Sequence, residues 1–563
     1  MNRISNKKKR WPWHGHLFAT LGATLLVACS SGDGPALPVD CAALSGTTVA
    51  ASDIGLPTSG ATISSATVVS ATASGNPNGE YCKVLGKITA AATDPAGTPD
   101  INFQLNLPTN WNGKTLHMGG GGYNGTVVTG TGYVSFATYP FAPPPLGQGY
   151  ATFGSDSGHT GNSTDATFAL NEGAIVNFGH AHIKKTHDAA FAIIKKRYGS
   201  APKKSYWAGG STGGREGMTA VQRYPQDYDG VIANAPAINF SGVRLQGVKV
   251  GQADYANGGF INTAKQLLIL KVVTDTCDAD DGTADGVVSD VAACKTKSAA
   301  ILAKLRCSDG TDQGDSCLSD KQIATVNSIA NDLVLPYSLA YGVNRHEGYN
   351  ILAGADFSLT ATSTLGLGSS SVLASNQKPV YPGNGYLFFQ GDLYLSYFIA
   401  KDPNFVSFTF DVNSPGSYQQ RLVDMSAVVG AMNPDIEAFR ARGGKLIVMH
   451  GLADQVISPN PAIAYYNAQV AKIGQAAVDS FWRFYTVPGL GHGYGVFNPA
   501  WDALGALDNW VTNGVAPDNV VGFDQNTATY GRTRPLCRYP SFPKYSGSGS
   551  NLVYSNFSCV KGG

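Results

Sequence analysis

The pattern G-x-S-x-G occurs at Gly209-Gly210-Ser211-Thr212-Gly213. It is typical of a nucleophile elbow, a sharp strand-to-helix turn that exposes a reactive serine hydroxyl. In a chain with 68 glycines the pattern alone is weak, and a plain glycine-rich turn is the alternative. Its surroundings favour the elbow, because strand-like residues 205–208 precede it and helix-like residues 215–223 follow it. We therefore predict that Ser211 is a nucleophile.

A serine hydroxyl attacks a carbonyl only when a neighbouring base takes its proton. After an elbow of this kind the chain order is serine, then an acid, then histidine. The histidines that follow Ser211 are His346, His450 and His492. His450 ends an apolar strand-like run and His346 lies in a predicted insertion, whereas His492 stands in a glycine-flanked loop behind a strand. His492 is the predicted base.

Asp454 is the predicted acid of the same group. It follows the strand-like run 446–450 by four residues, and loops at the carboxyl ends of parallel strands commonly carry such groups. Its carboxylate would fix the imidazole tautomer and stabilise the protonated ring. A turn-forming aspartate is the alternative interpretation.

Negative charge on a tetrahedral intermediate needs preorganised N–H donors. The amide of Thr212, directly after the nucleophile, is one predicted donor. The other is predicted in the glycine run 119–122, where the sequence leaves both Gly121 and Gly122 as candidates. An ordinary flexible turn is the alternative for this run.

An Asp-rich segment, 278–287, places carboxylates and glycines at spacings suited to a hard cation. The segment predicts a structural Ca²⁺ site between two flanking cysteines, with Asp278, Asp281 and Asp285 as ligands, helped by backbone carbonyls. The segment resembles an EF-hand loop but lacks the glutamate at its twelfth position. A solvated acidic turn is the alternative.

The elements around these residues alternate between strand and helix. The predicted strands are 101–107, 115–118, 150–153, 204–208, 445–450 and 482–487. Helical periodicity over 173–198 completes an α/β pattern with a parallel sheet. Residues 241–430 are rich in Ser, Gly, Asp and aromatic residues and predict an inserted lid, which would divide the catalytic domain into 41–240 and 431–563.

Residues 386–398 of the predicted insertion are rich in aromatic side chains. Such a stretch either lines a pocket for an aryl group or, more commonly, forms the insertion's own small core. It contains no arginine and so offers no obvious partner for a free carboxylate on a substrate.

The first 28 residues predict a targeting segment. Basic residues 6–10 precede an apolar run over 17–28, and Leu26-Val27-Ala28-Cys29 resembles a bacterial lipobox. Cys29 is then a predicted lipidation site, with a tether over 29–40; an ordinary secretory signal is the alternative. Both interpretations predict an extracytoplasmic protein, either an outer-membrane lipoprotein or a secreted or periplasmic one.

The cysteine content fits an oxidising compartment. Nine cysteines are present, and eight remain when Cys29 is set aside. Eight cysteines allow about 105 connectivities, so spacing leaves the pairing open. Pairing nearest neighbours gives four local loops: Cys41–Cys82, Cys277–Cys294, Cys307–Cys317 and Cys537–Cys559. Metal binding is the weaker alternative, because no CxxC pair accompanies these cysteines.

Composition excludes several classes of protein. The formal net charge is +1 and charged residues are only 14% of the chain, so there is no basic surplus for nucleic acid and no acidic tail. After the targeting segment no run is apolar enough to span a bilayer. A globular protein with a small-molecule partner fits, and the oligomeric state is left open.

Longer motifs are similar to those of the tannase and feruloyl esterase family of α/β-hydrolases, which includes mono(2-hydroxyethyl) terephthalate hydrolase. The resemblance runs from about Cys41 to Cys559. Its motifs are GGGGYNG (119–125), SDSGH (155–159), STGGRE (211–216), YPQDYDGV (224–231), CDADDGTADGV (277–287) and GLGHG (489–493). The resemblance implies an α/β-hydrolase fold with a large inserted lid, and hydrolysis of esters of aromatic acids.

The resemblance also implies roles for particular residues. It implies the serine–aspartate–histidine triad named above, the four local disulfides, and Ca²⁺ ligation in which the carbonyls of Thr283 and Val287 join the three aspartates. One departure concerns the active site, where family members typically join a cysteine just before the nucleophile to one just after the histidine. Gly210 and Gly493 occupy those positions here. We predict that cysteines placed at both would form a disulfide.

The combined interpretation is a serine esterase that hydrolyses esters of phenolic carboxylic acids, of the feruloyl or galloyl type, through an acyl-enzyme. Two kinds of alternative remain at this point. One is hydrolysis of terephthalate half-esters or aliphatic polyesters. The other is a non-catalytic, calcium-stabilised binding lipoprotein.

Overall fold

The computed structural model describes residues 38–256, 258–358 and 365–562. The predicted targeting segment, the lipidation site Cys29 and most of the tether lie outside the described residues. None of the described helices is long and apolar enough to cross a membrane.

Seventeen strands and fourteen α-helices are present in the described chain. The strands are β1 (Thr48–Val49), β2 (Ala61–Val69), β3 (Tyr81–Ile88), β4 (Ile101–Pro108), β5 (Lys114–Met118), β6 (Ala151–Ser155), β7 (Lys204–Gly210), β8 (Gly230–Asn234), β9 (Leu333–Val334), β10 (Arg345–His346), β11 (Lys445–Gly451), β12 (Trp482–Val487), β13 (Pro499–Ala500), β14 (Val520–Asp524), β15 (Thr533–Leu536), β16 (Ser541–Tyr545) and β17 (Phe557–Lys561). The helices are α1 (Glu172–Val176), α2 (His182–Tyr198), α3 (Thr212–Arg223), α4 (Phe240–Tyr255), α5 (Thr263–Cys277), α6 (Val291–Thr296), α7 (Ser298–Leu305), α8 (Asp320–Ala330), α9 (Tyr386–Leu393), α10 (Gln419–Val429), α11 (Glu437–Ala441), α12 (Asn460–Ile473), α13 (Gln475–Asp479) and α14 (Ala503–Asn513).

Ten of the strands form one sheet in the order β1-β2-β3-β4-β6-β5-β7-β8-β11-β12. Strands β1 to β4 pair antiparallel, as do β4 and β6, and the six strands from β6 to β12 in this order are parallel. Every residue of β8 and β12 is buried, as expected of strands in a parallel sheet whose two faces are covered by helices. The predicted α/β fold is confirmed.

The helix predicted over 173–198 is interrupted. A π-helical segment, Asn177–Ala181, separates α1 from α2. Within it the carbonyls of Phe178 and Gly179 accept hydrogen bonds from the Arg215 guanidinium at 3.0 and 2.8 Å. Because the partner of these carbonyls lies on another helix, α3, helical periodicity along the sequence could not reveal the interruption.

The chain between β8 and β11 forms α4 to α11 and one short hairpin, β9–β10, and its described part adds no strand to the main sheet. Its aromatic stretch is core: Tyr394 and Phe398 are fully buried, and the Phe398 ring lies 5.7 Å from that of Tyr123. The core interpretation of residues 386–398 therefore applies to these two side chains. These helices begin at Phe240 and end at Ala441. An inserted lid over 241–430 stays a prediction.

All four predicted cysteine pairs are disulfide-bonded. The pair Cys41–Cys82 ties the start of the described chain to β3, and Cys277–Cys294 closes the Asp-rich segment. Nearest-neighbour pairing is therefore correct, and the bonds fit an oxidising compartment.

Candidate active site

The backbone at Ser211 is strained. Ser211 lies between the end of β7 and the start of α3, with φ 59° and ψ −121°, a conformation that costs a non-glycine residue about 1–3 kcal/mol. A Cβ at Gly209 would lie 2.6 Å from the carbonyl carbon of Gly213, and one at Gly214 would lie 2.3 Å from the carbonyl oxygen of Asn234. The glycines around Ser211 are therefore required by close backbone approach, as in a nucleophile elbow.

A chain of two hydrogen bonds joins the three predicted triad residues. The Ser211 hydroxyl donates to His492 Nε2 at 3.0 Å, and His492 Nδ1 donates to Asp454 Oδ2 at 2.8 Å. Each residue follows the carboxyl end of a parallel strand: Ser211 follows β7, Asp454 follows β11 and His492 follows β12. The strands β11 and β12 are neighbours in the sheet, and β8 lies between β7 and β11. This arrangement suits proton transfer from a serine hydroxyl to an oriented imidazole.

The Asp454 carboxylate is buried but well supported. Its Oδ1 accepts hydrogen bonds from the amides of Val456 and Ile457, both at 2.8 Å. Burial opposes ionisation, yet the charge of His492, its hydrogen bond and the neighbouring His450 lower the pKa of Asp454 below its usual value. The carboxylate is therefore ionised at neutral pH and can stabilise a positive imidazole.

His450 contacts the same carboxylate. Its Nε2 donates to the Ile457 carbonyl at 3.0 Å and lies 3.5 Å from Asp454 Oδ2. The sequence assigned His450 a structural position at a strand end, and the structure adds that it packs against the acid of the predicted triad. Its position four residues before Asp454 was the available sequence signal for this contact.

The glycine run lies against the elbow. The Thr212 hydroxyl donates to the Gly122 carbonyl at 2.6 Å, and the Gly213 amide donates to the Gly120 carbonyl at 3.0 Å. The amide of Thr212 opens α3, where no helical acceptor precedes it. Among the described residues, no acceptor faces the amides of Gly121 and Gly122. All three predicted oxyanion donors thus remain candidates.

Glu216 on α3 anchors the glycine run and was missed by the sequence reasoning. It is fully buried and accepts hydrogen bonds from the Gly120 amide at 3.2 Å and from Asn124 Nδ2 at 2.7 Å. His182 Nε2 and an Arg215 nitrogen lie 3.5 and 3.8 Å from its Oε1. The available signal was an acidic residue at the end of the STGGRE motif that begins with the nucleophile.

Phe136 fills the space between Gly210 and Gly493. A Cβ at Gly210 would lie 2.1 Å from its ring, and one at Gly493 would lie 3.2 Å from the opposite edge. The ring also meets the His492 imidazole edge to face, with centroids 5.0 Å apart. No sequence pattern singled out Phe136, because its contacts come from distant parts of the chain. The predicted cysteine pair at 210 and 493 cannot close while this ring is in place.

The predicted cation ligands lie in one closed loop. Each aspartate accepts hydrogen bonds from amides of the loop itself: Asp278 from Asp285 and Gly286, Asp281 from Thr283, and Asp285 from Val287. Arg534 forms an ion pair with Asp285. Asp280 pairs with Lys297 at 2.6 Å and Asp290 caps α6, which agrees with leaving both out of the predicted ligand set.

Comparison with known proteins identifies relatives over most of the chain. The family model described as tannase and feruloyl esterase matches residues 82–560. A protein described as an uncharacterised esterase of Agrobacterium fabrum is 42% identical over 526 residues, covering 92% of this chain and 93% of the relative. The mono(2-hydroxyethyl) terephthalate hydrolase of Piscinibacter sakaiensis is 31% identical over 545 residues, covering 87% and 86%.

The fold has solved counterparts. The crystal structure of feruloyl esterase B from Aspergillus oryzae superimposes with a TM-score of 0.71 at 23% identity, covering 92% of this chain and all of that one. At this identity the likeness shows the α/β-hydrolase fold. Together with the family match, it leads to one conclusion: the chain belongs to the tannase and feruloyl esterase family and is a carboxylic ester hydrolase.

Proposed function

We propose that this esterase works through an acyl-enzyme on Ser211. The observation that carries the proposal is the hydrogen-bond chain from Ser211 Oγ through His492 to Asp454. Ser211 Oγ attacks the ester carbonyl carbon as His492 Nε2 takes its proton, and the amides of Thr212 and the glycine run stabilise the oxyanion. His492 then protonates the departing alcohol. Water, deprotonated by His492, attacks the acyl carbon and releases the acid and Ser211.

The proposed substrates are esters of phenolic carboxylic acids, of the feruloyl or galloyl type. The match to the tannase and feruloyl esterase family supports this class. Esters of aliphatic acids and a binding role without turnover have no observation in their favour.

A half-ester of an aromatic diacid is a second candidate, favoured by one residue. Arg244 on α4 is 3% exposed, with its guanidinium carbon 4.4 Å from the ring centre of Phe240 and 5.1 Å from that of Tyr123, which adjoins the glycine run. Its Nε has no hydrogen-bond partner among the described residues. A buried arginine short of partners suits an anionic group.

A panel of esters separates these candidates. We expect methyl ferulate and methyl gallate to be turned over with a higher kcat/KM than monomethyl terephthalate or a butyrate ester. In Arg244→Met, turnover of methyl ferulate should change little, because this substrate offers no carboxylate. A preference for monomethyl terephthalate that disappears in Arg244→Met would establish the second candidate, and a preference for butyrate would contradict both.

We further propose that the loop 278–287 binds a structural Ca²⁺. Asp281 is 1% exposed; burial raises its pKa to about 6, and the charges of Asp285 and Asp278 act in the same direction. A bound cation would favour the ionised form of this carboxyl. Carboxylate and carbonyl oxygens are the ligands that Ca²⁺ takes, so the donor set fits a hard cation. Asp278, Asp281, Asp285 and the carbonyls of Thr283 and Val287 would hold the ion.

A tighter acidic cluster elsewhere does not compete for this role. In the described chain, His187, Asp188 and Asp227 are the group whose potential ligand atoms all lie within 4.8 Å. Lys184 already pairs with both carboxylates, at 2.9 and 3.0 Å. Lys184 therefore satisfies both carboxylates of this cluster, whereas in the described part of the 278–287 loop Arg534 pairs with Asp285 alone of the three predicted aspartate ligands.

Removal of calcium is expected to lower thermal stability without changing the fold. Since a ligand at 100 times its Kd stabilises by about 2.7 kcal/mol, and unfolding a chain of this length carries an entropy of about 1.1 kcal/mol/K, a chelator should lower Tm by about 2–3 °C. Asp281→Asn should remove this response. The control Asp275→Asn alters an exposed carboxylate that pairs only with Lys271 on its own helix and should keep it. An unchanged Tm after chelation would rule out a structural ion.

We propose an extracytoplasmic location for the protein. Four disulfides support it, because such bonds persist in oxidising compartments. Lipidation at Cys29 remains a proposal from the sequence, tested by the mass of the mature N-terminus after expression in a bacterial host.

A further inference from the structure

We propose that Phe136 is a positioning residue for His492, acting as a non-covalent brace between the nucleophile elbow and the histidine loop. The inference rests on the proposed serine mechanism and goes beyond it, because it assigns a role to a residue outside the triad and the oxyanion site. The observation behind it is one aromatic ring in contact with both loops and with the imidazole itself.

The ring separates two glycines that immediately neighbour the proposed catalytic residues. Its Cδ2 and Cε2 atoms lie 2.1 and 2.3 Å from where a Cβ on Gly210 would be, and its Cε1 atom lies 3.2 Å from that of Gly493. Gly210 directly precedes Ser211, and Gly493 directly follows His492. The two glycines therefore accommodate the ring, and the ring fixes the spacing between the two loops.

The contact with the imidazole is directional. The Phe136 and His492 rings meet at 71° with centroids 5.0 Å apart, an edge-to-face arrangement that aromatic pairs prefer. The partner on the other side of His492 is Asp454, bonded to Nδ1. Between them these two contacts restrict rotation of the imidazole, and Nε2 stays directed at the Ser211 hydroxyl.

The backbone of Phe136 is strained and is held in place by its neighbours. Its φ is 63°, a left-handed value that disfavours a bulky residue. Two hydrogen bonds hold the segment: Asn234 Nδ2 donates to the Ser135 carbonyl at 2.8 Å, and the Ala137 amide donates to the Val134 carbonyl at 3.1 Å. Strain of this kind persists where the surroundings enforce it, commonly at active sites. Asn234 ends β8, so the sheet itself sets the position of the ring.

Removal of the ring should impair turnover more than binding. We expect Phe136→Ala to lower kcat for methyl ferulate by about 10- to 100-fold, because a misplacement of about 1 Å costs about that much, with KM changed less than about threefold. Phe136→Leu, which keeps bulk but no flat ring, should fall between. The control Phe141→Ala removes a ring of the same segment that is 59% exposed and should leave kcat unchanged.

Two further readouts separate positioning from general stability. The low-field proton signal of the His492–Asp454 hydrogen bond should broaden or vanish in Phe136→Ala while the far-ultraviolet circular dichroism stays that of the parent. In Gly210→Cys with Gly493→Cys, both thiols should stay reduced in the parent chain, because the ring stands between them. In the Phe136→Ala background, glutathione disulfide should oxidise both thiols to one S–S bond, with release of two glutathiones, and restore kcat; dithiothreitol should abolish that recovery.

Three results would contradict the positioning role of Phe136. A kcat in Phe136→Ala equal to that of the parent would overturn it, as would a cysteine pair that oxidises with Phe136 present. A triple variant that stays reduced would also contradict it, because the glycines would not face one another across the ring. Activity that survives Ser211→Ala would instead refute the proposed mechanism, so the two failures are distinguishable.

Discussion

Replacing Ser211 with alanine is expected to lower kcat for methyl ferulate by about 10⁴- to 10⁶-fold, with the fold unchanged. Alanine removes the hydroxyl that bonds His492 Nε2, so no acyl-enzyme can form at this residue. The proposed oxyanion donors survive, and some rate enhancement over water should remain. Release of ferulate, followed by liquid chromatography at saturating substrate, gives the ratio directly.

The control for this variant is Ser241→Ala. The Ser241 hydroxyl is buried in α4 and pairs with the Tyr394 hydroxyl at 2.7 Å, so its loss tests the effect of deleting a buried serine oxygen. Its kcat should stay within about threefold of the parent, since a single buried hydrogen bond contributes about 1 kcal/mol to stability and none to the reaction. A Ser211→Ala enzyme as active as this control would refute Ser211 as nucleophile.

Asp454→Asn is the second change with a very large expected effect, a fall in kcat of about 10⁴-fold. The amide cannot stabilise a positive imidazole, and its NH₂ group would favour the wrong tautomer of His492. If the asparagine side chain turns so that its oxygen faces His492, its NH₂ group faces the amides of Val456 and Ile457 and cannot accept their hydrogen bonds. Steady-state kinetics with methyl ferulate measure the loss, and Asp454→Glu, which keeps a carboxylate, should retain more activity than the asparagine variant.

The same variant has a predicted signature in pH-dependent stability. The pKa of Asp454 is lower in the folded protein than in the unfolded chain, so its ionisation contributes stability above the unfolded pKa of about 4, and that contribution is lost as pH falls. The difference in Tm between about pH 7 and about pH 3 should therefore be smaller in Asp454→Asn than in the parent. An equal or larger difference would contradict the lowered pKa.

Much of the catalytic framework could be predicted from the sequence because local rules determine it. Buried strands give apolar runs, and β4, β5, β6, β7, β11 and β12 lie within two residues of the six predicted strands, whereas the central strand β8 was not predicted. Loops at the carboxyl ends of such strands meet at one edge. The order of Ser211, Asp454 and His492 along the chain was then enough to bring three distant residues into one predicted group.

What the sequence could not provide are contacts between segments that share no pattern. Glu216 reaches the Gly120 amide from the far side of the elbow, and Phe136 reaches His492 from the loop after β5. The replacement of two family cysteines by Gly210 and Gly493 was visible, but not the ring that fills the space. Such features depend on packing in three dimensions, where any side chain of suitable shape serves.

The most direct test of the central claim is to trap the acyl-enzyme. The enzyme is mixed with 4-nitrophenyl ferulate, quenched in acid within its first turnovers, digested and analysed by mass spectrometry. The account predicts a feruloyl group on the peptide that contains Ser211, a burst of about one 4-nitrophenolate per enzyme, and neither in Ser211→Ala. Steady turnover with no adduct on that peptide, or with the adduct on another residue, would contradict it.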